Sequence, residues 1–136
     1  FIKNSFYYKK NINVIDNQYG RPTYCDDVVK LVLKIIYNQN PSSDIHGVYN
    51  YSSSGPKVSW YQYAKKIIKI LKLKNNDKSK NRFMSNISQK RFNFINNLST
   101  KRPKYSVLDY RKVRKIFQYS GEDWRISLEN DLKSDK

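Results

Sequence analysis

Apolar and polar positions alternate along this chain with a helical period in its middle. Trp60, Ala64, Ile67, Ile68 and Leu71 fall three and four residues apart, and Lys65, Lys66, Lys69 and Lys72 occupy the positions between them. That spacing gives a helix with one core face and one solvated face. Ser59, with Gln62 three residues on, forms a capping box, so the helix is expected to run from Trp60 to about Leu73. An earlier helix is apolar almost all round: Val28, Val29, Leu31, Val32, Leu33, Ile35 and Ile36 follow Asp26 and Asp27. The two carboxylates suit the positive end of a helix, and the continuous apolar run predicts deep burial.

Shorter runs complete the order. Residues 1–10 read as the end of a helix, and Asn13–Asp16 as a short strand. Gln18–Thr23 follows as a turn, in which Gly20 permits a tight bend and Pro22 holds Arg21 extended. Gly47–Tyr51 reads as the next strand, and Ser52–Pro56 as a loop. Residues 74–91 are polar, lysine-rich and without period, which predicts a flexible insert. Phe92–Leu98 has extended character, Leu108–Phe117 reads as a helix with Leu108, Val113, Ile116 and Phe117 inward, and a last helix runs from Asp123-Trp124 through Leu132. Helices and strands alternate, which argues for an α/β fold.

Composition bounds the chemistry. The 136 residues suit one domain, and the 38% that are hydrophobic suffice for a core. No apolar run approaches the ~18 residues of a membrane span, so no membrane partner is expected. Residue 1 is Phe, and the polar stretch after it is no signal peptide. These features lead to the expectation of a cytoplasmic chain cut from something longer.

The formal charge of +16 invites a nucleic-acid reading. Against it, Lys, Asn, Ile, Tyr and Phe supply 66 of the 136 residues, all of them encoded by A/T-rich codons, while Ala occurs once. Lys also outnumbers Arg 20 to 7, although phosphate and base recognition favours the guanidinium fork. The charge therefore reads as compositional drift over a solvated surface, and nucleic acid as the less favoured partner.

Catalytic candidates are few. Cys25 is the only cysteine and His46 the only histidine, which excludes a disulfide and any multi-cysteine zinc site. Cys25, at the start of a helix, reads as a small buried residue. Four scattered glycines permit neither GxGxxG nor a Walker loop, so a nucleotide cofactor has no standard site. Tyr61-x-x-x-Lys65 resembles the Tyr/Lys pair of short-chain dehydrogenases. With 12 Tyr and 20 Lys, roughly two such spacings arise by chance, so the pair reads as a decoy. Two turns carry more. Gln18, Tyr19 and Arg21 put an amide, an aromatic ring and a guanidinium on one constrained loop, and Lys101-Arg102-Pro103 puts two cations on another. Such loops suit a ligand with an aromatic base and a diphosphate.

From this point the chain resembles a known family. Val14–Thr23 followed by Asp27 looks like the "DQxGxPT…D" stretch of dTDP-4-dehydrorhamnose reductases. Gly47-Val48-Tyr49-Asn50 is similar to their "GxYH" strand, and Gly55 with Ser59-Trp60-Tyr61 to their "G…SWYEFA" helix start. Lys101-Arg102-Pro103-x-Tyr105-Ser106-x-Leu108-Asp109 resembles their "RRPxxSxLd", and Trp124 and Leu128 fit their terminal "W…L…L" helix. The matches fall in family order across the chain, with 74–91 the weakest part.

The resemblance implies the C-terminal part of an extended short-chain dehydrogenase/reductase. Gly47–Tyr51 would be the last strand of a Rossmann-type sheet, and much of the rest of residues 1–136 would form a small sugar-nucleotide-binding domain. The N-terminal cofactor domain, with its NADPH or NADH site and its catalytic Thr, Tyr and Lys, is absent from these residues, which then hold no catalytic residue. The complete enzyme would reduce dTDP-4-dehydro-L-rhamnose to dTDP-L-rhamnose, a step of surface polysaccharide biosynthesis. Arg102, with Lys101, would meet the diphosphate of the dTDP-sugar, and the turn of Gln18, Tyr19 and Arg21 would border the pocket. Some family members form a homodimer around Mg²⁺ held by glutamates. In that region this chain offers Asp26, a shorter carboxylate, as its metal candidate. Two other readings stay open: a non-catalytic regulatory homologue of the kind that serves methionine adenosyltransferase, and a basic nucleic-acid-binding module.

Overall fold

A computed structural model describes residues 2–37, 45–78, 84–97, 99 and 102–134. Its elements in chain order are α1 (Ile2–Tyr7), β1 (Ile12–Ile15), β2 (Tyr19–Gly20), α2 (Cys25–Tyr37), β3 (Val58–Ser59), α3 (Trp60–Lys74), β4 (Met84–Ile87), α4 (Gln89–Ile95), α5 (Arg111–Phe117) and α6 (Trp124–Ser134). The fold is mixed α/β. Strand β1 pairs in parallel with β4, Ile12 opposite Met84 and Ile15 opposite Ile87. Strand β2 pairs antiparallel with β3, Tyr19 opposite Ser59.

Helix α3 is the hub. The Ser59 hydroxyl accepts from the Gln62 N–H at 3.1 Å, and the Gln62 side-chain oxygen accepts from the Ser59 N–H at 3.1 Å, closing the expected capping box. Ala64, Ile67, Ile68, Ile70 and Leu71 are buried against Phe6 of α1, Ile12 and Val14 of β1, Met84 of β4 and Leu132 of α6. Lys65 and Lys69 lie on the exposed side, as their spacing predicted. The Lys65 ammonium sits 5.6 Å from the centre of the Tyr61 ring, so the Tyr61-x-x-x-Lys65 spacing, read above as a decoy, is a cation–π contact between adjacent turns of one helix.

Several expectations need correction. Helix α2 forms as expected, but of its apolar run only Leu31 is buried. Leu31 and Ile35 pack on Val113 and Phe117 of α5, whereas Val28, Val29, Val32, Leu33 and Ile36 are exposed. Gly47–Tyr51 belongs to no strand. An extended segment becomes a strand only beside a partner, and among the described residues none lies along it. The 74–91 stretch, expected to be a flexible insert, carries β4 and the start of α4. Strand β4 shows no alternation because only Met84 and Ile87 of its four residues are buried.

The stretch expected to be extended after Phe92 is helical through Ile95, as α4. Its N-cap is Ser88, whose hydroxyl accepts from the Arg91 N–H at 3.3 Å. Trp60, Leu108 and Ile116, expected inward, are exposed, and so is Cys25.

Candidate functional site

The Gln18–Arg21 segment, expected to be a turn with a tight bend at Gly20, instead carries strand β2, with Gly20 outside the positive-φ region. It sits between two distant parts of the chain. On one side β2 pairs with β3, and the Trp60 N–H donates to the Gln18 carbonyl at 3.3 Å. On the other, the Tyr19 N–H donates to the Lys104 carbonyl at 2.8 Å, and the Ser106 N–H donates to the Tyr19 carbonyl at 2.9 Å. Tyr19 is thus the middle rung of three segments, and both of its backbone groups are used. Gln18 is buried beside it.

This pairing sets side chains side by side that the sequence separates by up to 86 positions. The Tyr19 and Tyr105 rings stack with centres 5.3 Å apart and planes 22° apart. Tyr105 remains half exposed. The Lys57 ammonium lies 4.9 Å and the Lys104 ammonium 5.6 Å from the centre of the Tyr105 ring. An aromatic platform flanked by cations can stack a base and attract the phosphates attached to it. Arg102 is exposed two residues before Lys104. Lys101 lies outside the described residues.

Arg21 is committed differently. Its guanidinium lies 5.3 Å from the centre of the Tyr110 ring, and Nη1 donates to the Ser52 hydroxyl at 3.2 Å. Its Nε is buried without an acceptor. Arg21 therefore ties the segment that bears Tyr19 to the Ser52 and Tyr110 segments. Of the residues singled out from sequence, Gln18, Tyr19 and Arg21 come together. Tyr105, Lys57, Lys104 and Tyr110 join them without having been singled out for binding. Only the place of Tyr105 within the "RRPxxSxLd"-like segment hinted at that role.

A second cluster braces the turn from below. Asp27 is buried, and its Oδ2 accepts from the Ser53 hydroxyl and from the Glu122 N–H, each at 3.1 Å. Ser53 Oγ accepts from the Tyr24 N–H at 3.0 Å, and the Tyr119 hydroxyl donates to the Asp27 carbonyl at 2.9 Å. Burial first, and then the Asp27 charge, raises the Tyr51 and Tyr119 phenols above their ordinary range. Gly121, at φ +65°, leaves room here: a Cβ would collide with the Tyr51 hydroxyl and lie 2.8 Å from Asp27 Oδ2.

The described residues fit neither a dinucleotide nor a metal. A Cβ on Gly20 would meet Ser106 and Trp60, on Gly47 Lys112, on Gly55 Asp123, and on Gly121 Tyr51 and Asp27, so each glycine backs onto a side chain and none opens a phosphate cradle. Asp26 is exposed in the first turn of α2, and among the described residues no three His, Cys, Asp or Glu side chains gather to hold a metal.

Known proteins are similar to this chain in sequence and fold. The RmlD substrate binding domain family matches residues 2–136. The chain is similar to the dTDP-4-dehydrorhamnose reductase of Aggregatibacter actinomycetemcomitans, 26% identical over 96% of this chain and 44% of that protein. It is also similar to the spore coat polysaccharide biosynthesis protein SpsK of Bacillus subtilis (strain 168), 30% identical over 92% of this chain and 38% of that protein. The crystal structure of a dTDP-4-dehydrorhamnose reductase from Bacillus anthracis str. Ames in complex with NADP superposes with a TM-score of 0.72. It is 25% identical over 95% of this chain and 40% of that one. The chain thus spans less than half the length of the relatives it matches.

Proposed function

Because the chain belongs to the RmlD substrate binding domain family, we propose that it forms the sugar-nucleotide-binding part of a dTDP-4-dehydrorhamnose reductase. The reaction is hydride transfer from a nicotinamide cofactor to the C4 ketone of dTDP-4-dehydro-L-rhamnose, giving dTDP-L-rhamnose. The cofactor and the proton donor belong to a partner domain of the same polypeptide, and the NADP of the Bacillus anthracis relative favours NADPH. Dependence on a nicotinamide pool favours the cytoplasm, and among the described residues no helix is long and apolar enough to cross a membrane.

The observation that carries the reading is the Tyr19–Tyr105 stack with Lys57 and Lys104 beside it, held by hydrogen bonds on both sides of Tyr19. Tyr19 and Tyr105 present a ring face to the thymine. Lys57 and Lys104, with Arg102 and Lys101, meet the diphosphate, where charge-assisted contacts are strongest. Gln18 and Arg21 hold the loop that bears Tyr19. The exposed apolar face of α2 and the unpaired Gly47–Tyr51 segment are where the cofactor domain would dock. The regulatory-subunit reading is not favoured, because the relatives named above are dTDP-4-dehydrorhamnose reductases and a polysaccharide biosynthesis protein.

Calorimetric titration of the full chain with dTDP tests the proposal. Saturable binding is expected, and Arg102→Ala should weaken it by roughly 1–3 kcal/mol, the scale of a lost charged hydrogen bond. Unchanged binding in the variant removes Arg102 from the site. Absence of dTDP binding, together with RNA binding that falls steeply with salt, would replace the reading with the nucleic-acid one.

A further inference from the structure

A cleft away from the Tyr19–Tyr105 platform has a chemistry of its own. It is a cavity of about 80 Å³ between the Pro22–Tyr24 segment, α3 and α6, several times the ~10–15 Å³ a single water needs. Tyr63 and Trp124 meet there edge to face, ring centres 5.6 Å apart and planes at 70°, so they form two walls of a corner. Tyr24 adds a third ring, and Asp131 sits among the lining residues on α6. Among the described residues no Lys or Arg lines the cavity, although the chain carries 27 of them.

The hydrogen-bonding groups of the lining are largely spent. Ser127 Oγ donates to Glu122 Oε2 at 2.9 Å, Trp124 Nε1 donates to the Pro56 carbonyl at 2.9 Å, and Thr23 Oγ1 donates to the Arg21 carbonyl at 3.4 Å. The Asp131 carboxylate has no hydrogen bond or ion pair among the described residues. Its charge instead reaches the phenols: Tyr63 is raised by burial and then by Asp131, and Tyr24 by Asp26, burial and then Asp131 among other causes.

We infer that this cleft binds a methylated ammonium head, held against the rings of Tyr24, Tyr63 and Trp124 and neutralised by Asp131. Ring faces attract a cation through their quadrupole, and a methylated head needs no hydrogen-bond acceptor on every side. A phosphate would face a carboxylate with no Lys or Arg beside it among the described lining residues. The inference does not depend on the dTDP reading, since the two sites share no side chain.

The test is an NMR titration of the full chain with tetramethylammonium chloride, following the two indole N–H resonances. The Trp124 signal should shift saturably while that of Trp60 stays still, and sodium chloride at equal ionic strength should move neither. Asp131→Asn, a surface change that preserves the fold, should weaken the response roughly five-fold. Methylammonium should bind more weakly than tetramethylammonium, and the reverse order would overturn the assignment to a methylated head. A linear response, equal shifts of both indoles, or an unaltered midpoint in Asp131→Asn would remove the site.

Discussion

Helix α2 carries seven apolar side chains between Val28 and Ile36, and helix α3 sets its apolar residues among five lysines. Yet α3 buries five of its apolar side chains, and α2 only Leu31 of its run. The difference lies in their neighbours. Helix α3 is wrapped by α1, β1, β4 and α6, so each apolar position on its inner face meets a partner. Helix α2 meets Val113, Phe117 and a group of tyrosines along a single stripe, and its remaining apolar face is left to solvent. Hydrophobic content states how much surface a helix needs to cover; the surrounding elements decide how much is covered.

The two regions also differ in what fills them. The α3 core is nearly all hydrocarbon, whereas the α2 side is built around the buried Asp27 carboxylate with Ser53, Tyr51 and Tyr119. The first should respond to lost volume and the second to pH.

The largest effect is expected at Ile68, which is fully buried in α3. Ile68→Ala should cost about 2–5 kcal/mol, read from urea unfolding, because the surrounding elements cannot collapse onto the cavity. A cost below about 1 kcal/mol would deny α3 its central place. An intermediate effect is expected from alkali. Tyr51 and Tyr119 have folded pKa values above the unfolded phenol value near 10, so they remain neutral more readily in the folded chain. Their contribution is fully present below pH 10 and is lost as the pH rises further, since the unfolded chain releases those protons first. The melting temperature should therefore fall above pH 10, and Tyr51→Phe should make that fall shallower. Equal slopes in the two proteins would show that the phenol is not held in its neutral form. The smallest effect is expected at Val32, which is 47% exposed on α2. Val32→Asn, a pair with similar helix propensity, should change stability by no more than ~0.5 kcal/mol. A loss several times larger would mean that another surface covers α2 in solution, as through self-association.

Much of the local structure was legible in the sequence. The capping box of Ser59 and Gln62 and the carboxylates opening α2 act within a few residues, so their signals stand next to their consequences. The turn expected over Gln18–Thr23, by contrast, is extended at Tyr19–Gly20 because β2 pairs there with β3. The site was legible in part. Gln18, Tyr19 and Arg21 stood out as a polar segment, though as a turn and not as the strand that Tyr19–Gly20 forms, and nothing near them in sequence points to Lys57, Tyr105 or Tyr110. Strand β4 and helix α4 were misread because Met84–Ile87 has no alternation of its own. It is a strand only through pairing with β1, some seventy residues earlier.

By itself the sequence determined where most helices lie, which face of α3 turns inward and which family the motifs resemble. Each of these rests on hydrogen bonds and side-chain spacings that repeat over three or four residues. Tertiary structure alone decided that 84–87 is a strand and Gly47–Tyr51 is not, that α2 lies half uncovered, and that Tyr19 stacks on Tyr105 between two lysines. Those outcomes depend on contacts between distant segments, whose free energy is gained only once the intervening chain has folded to bring them together.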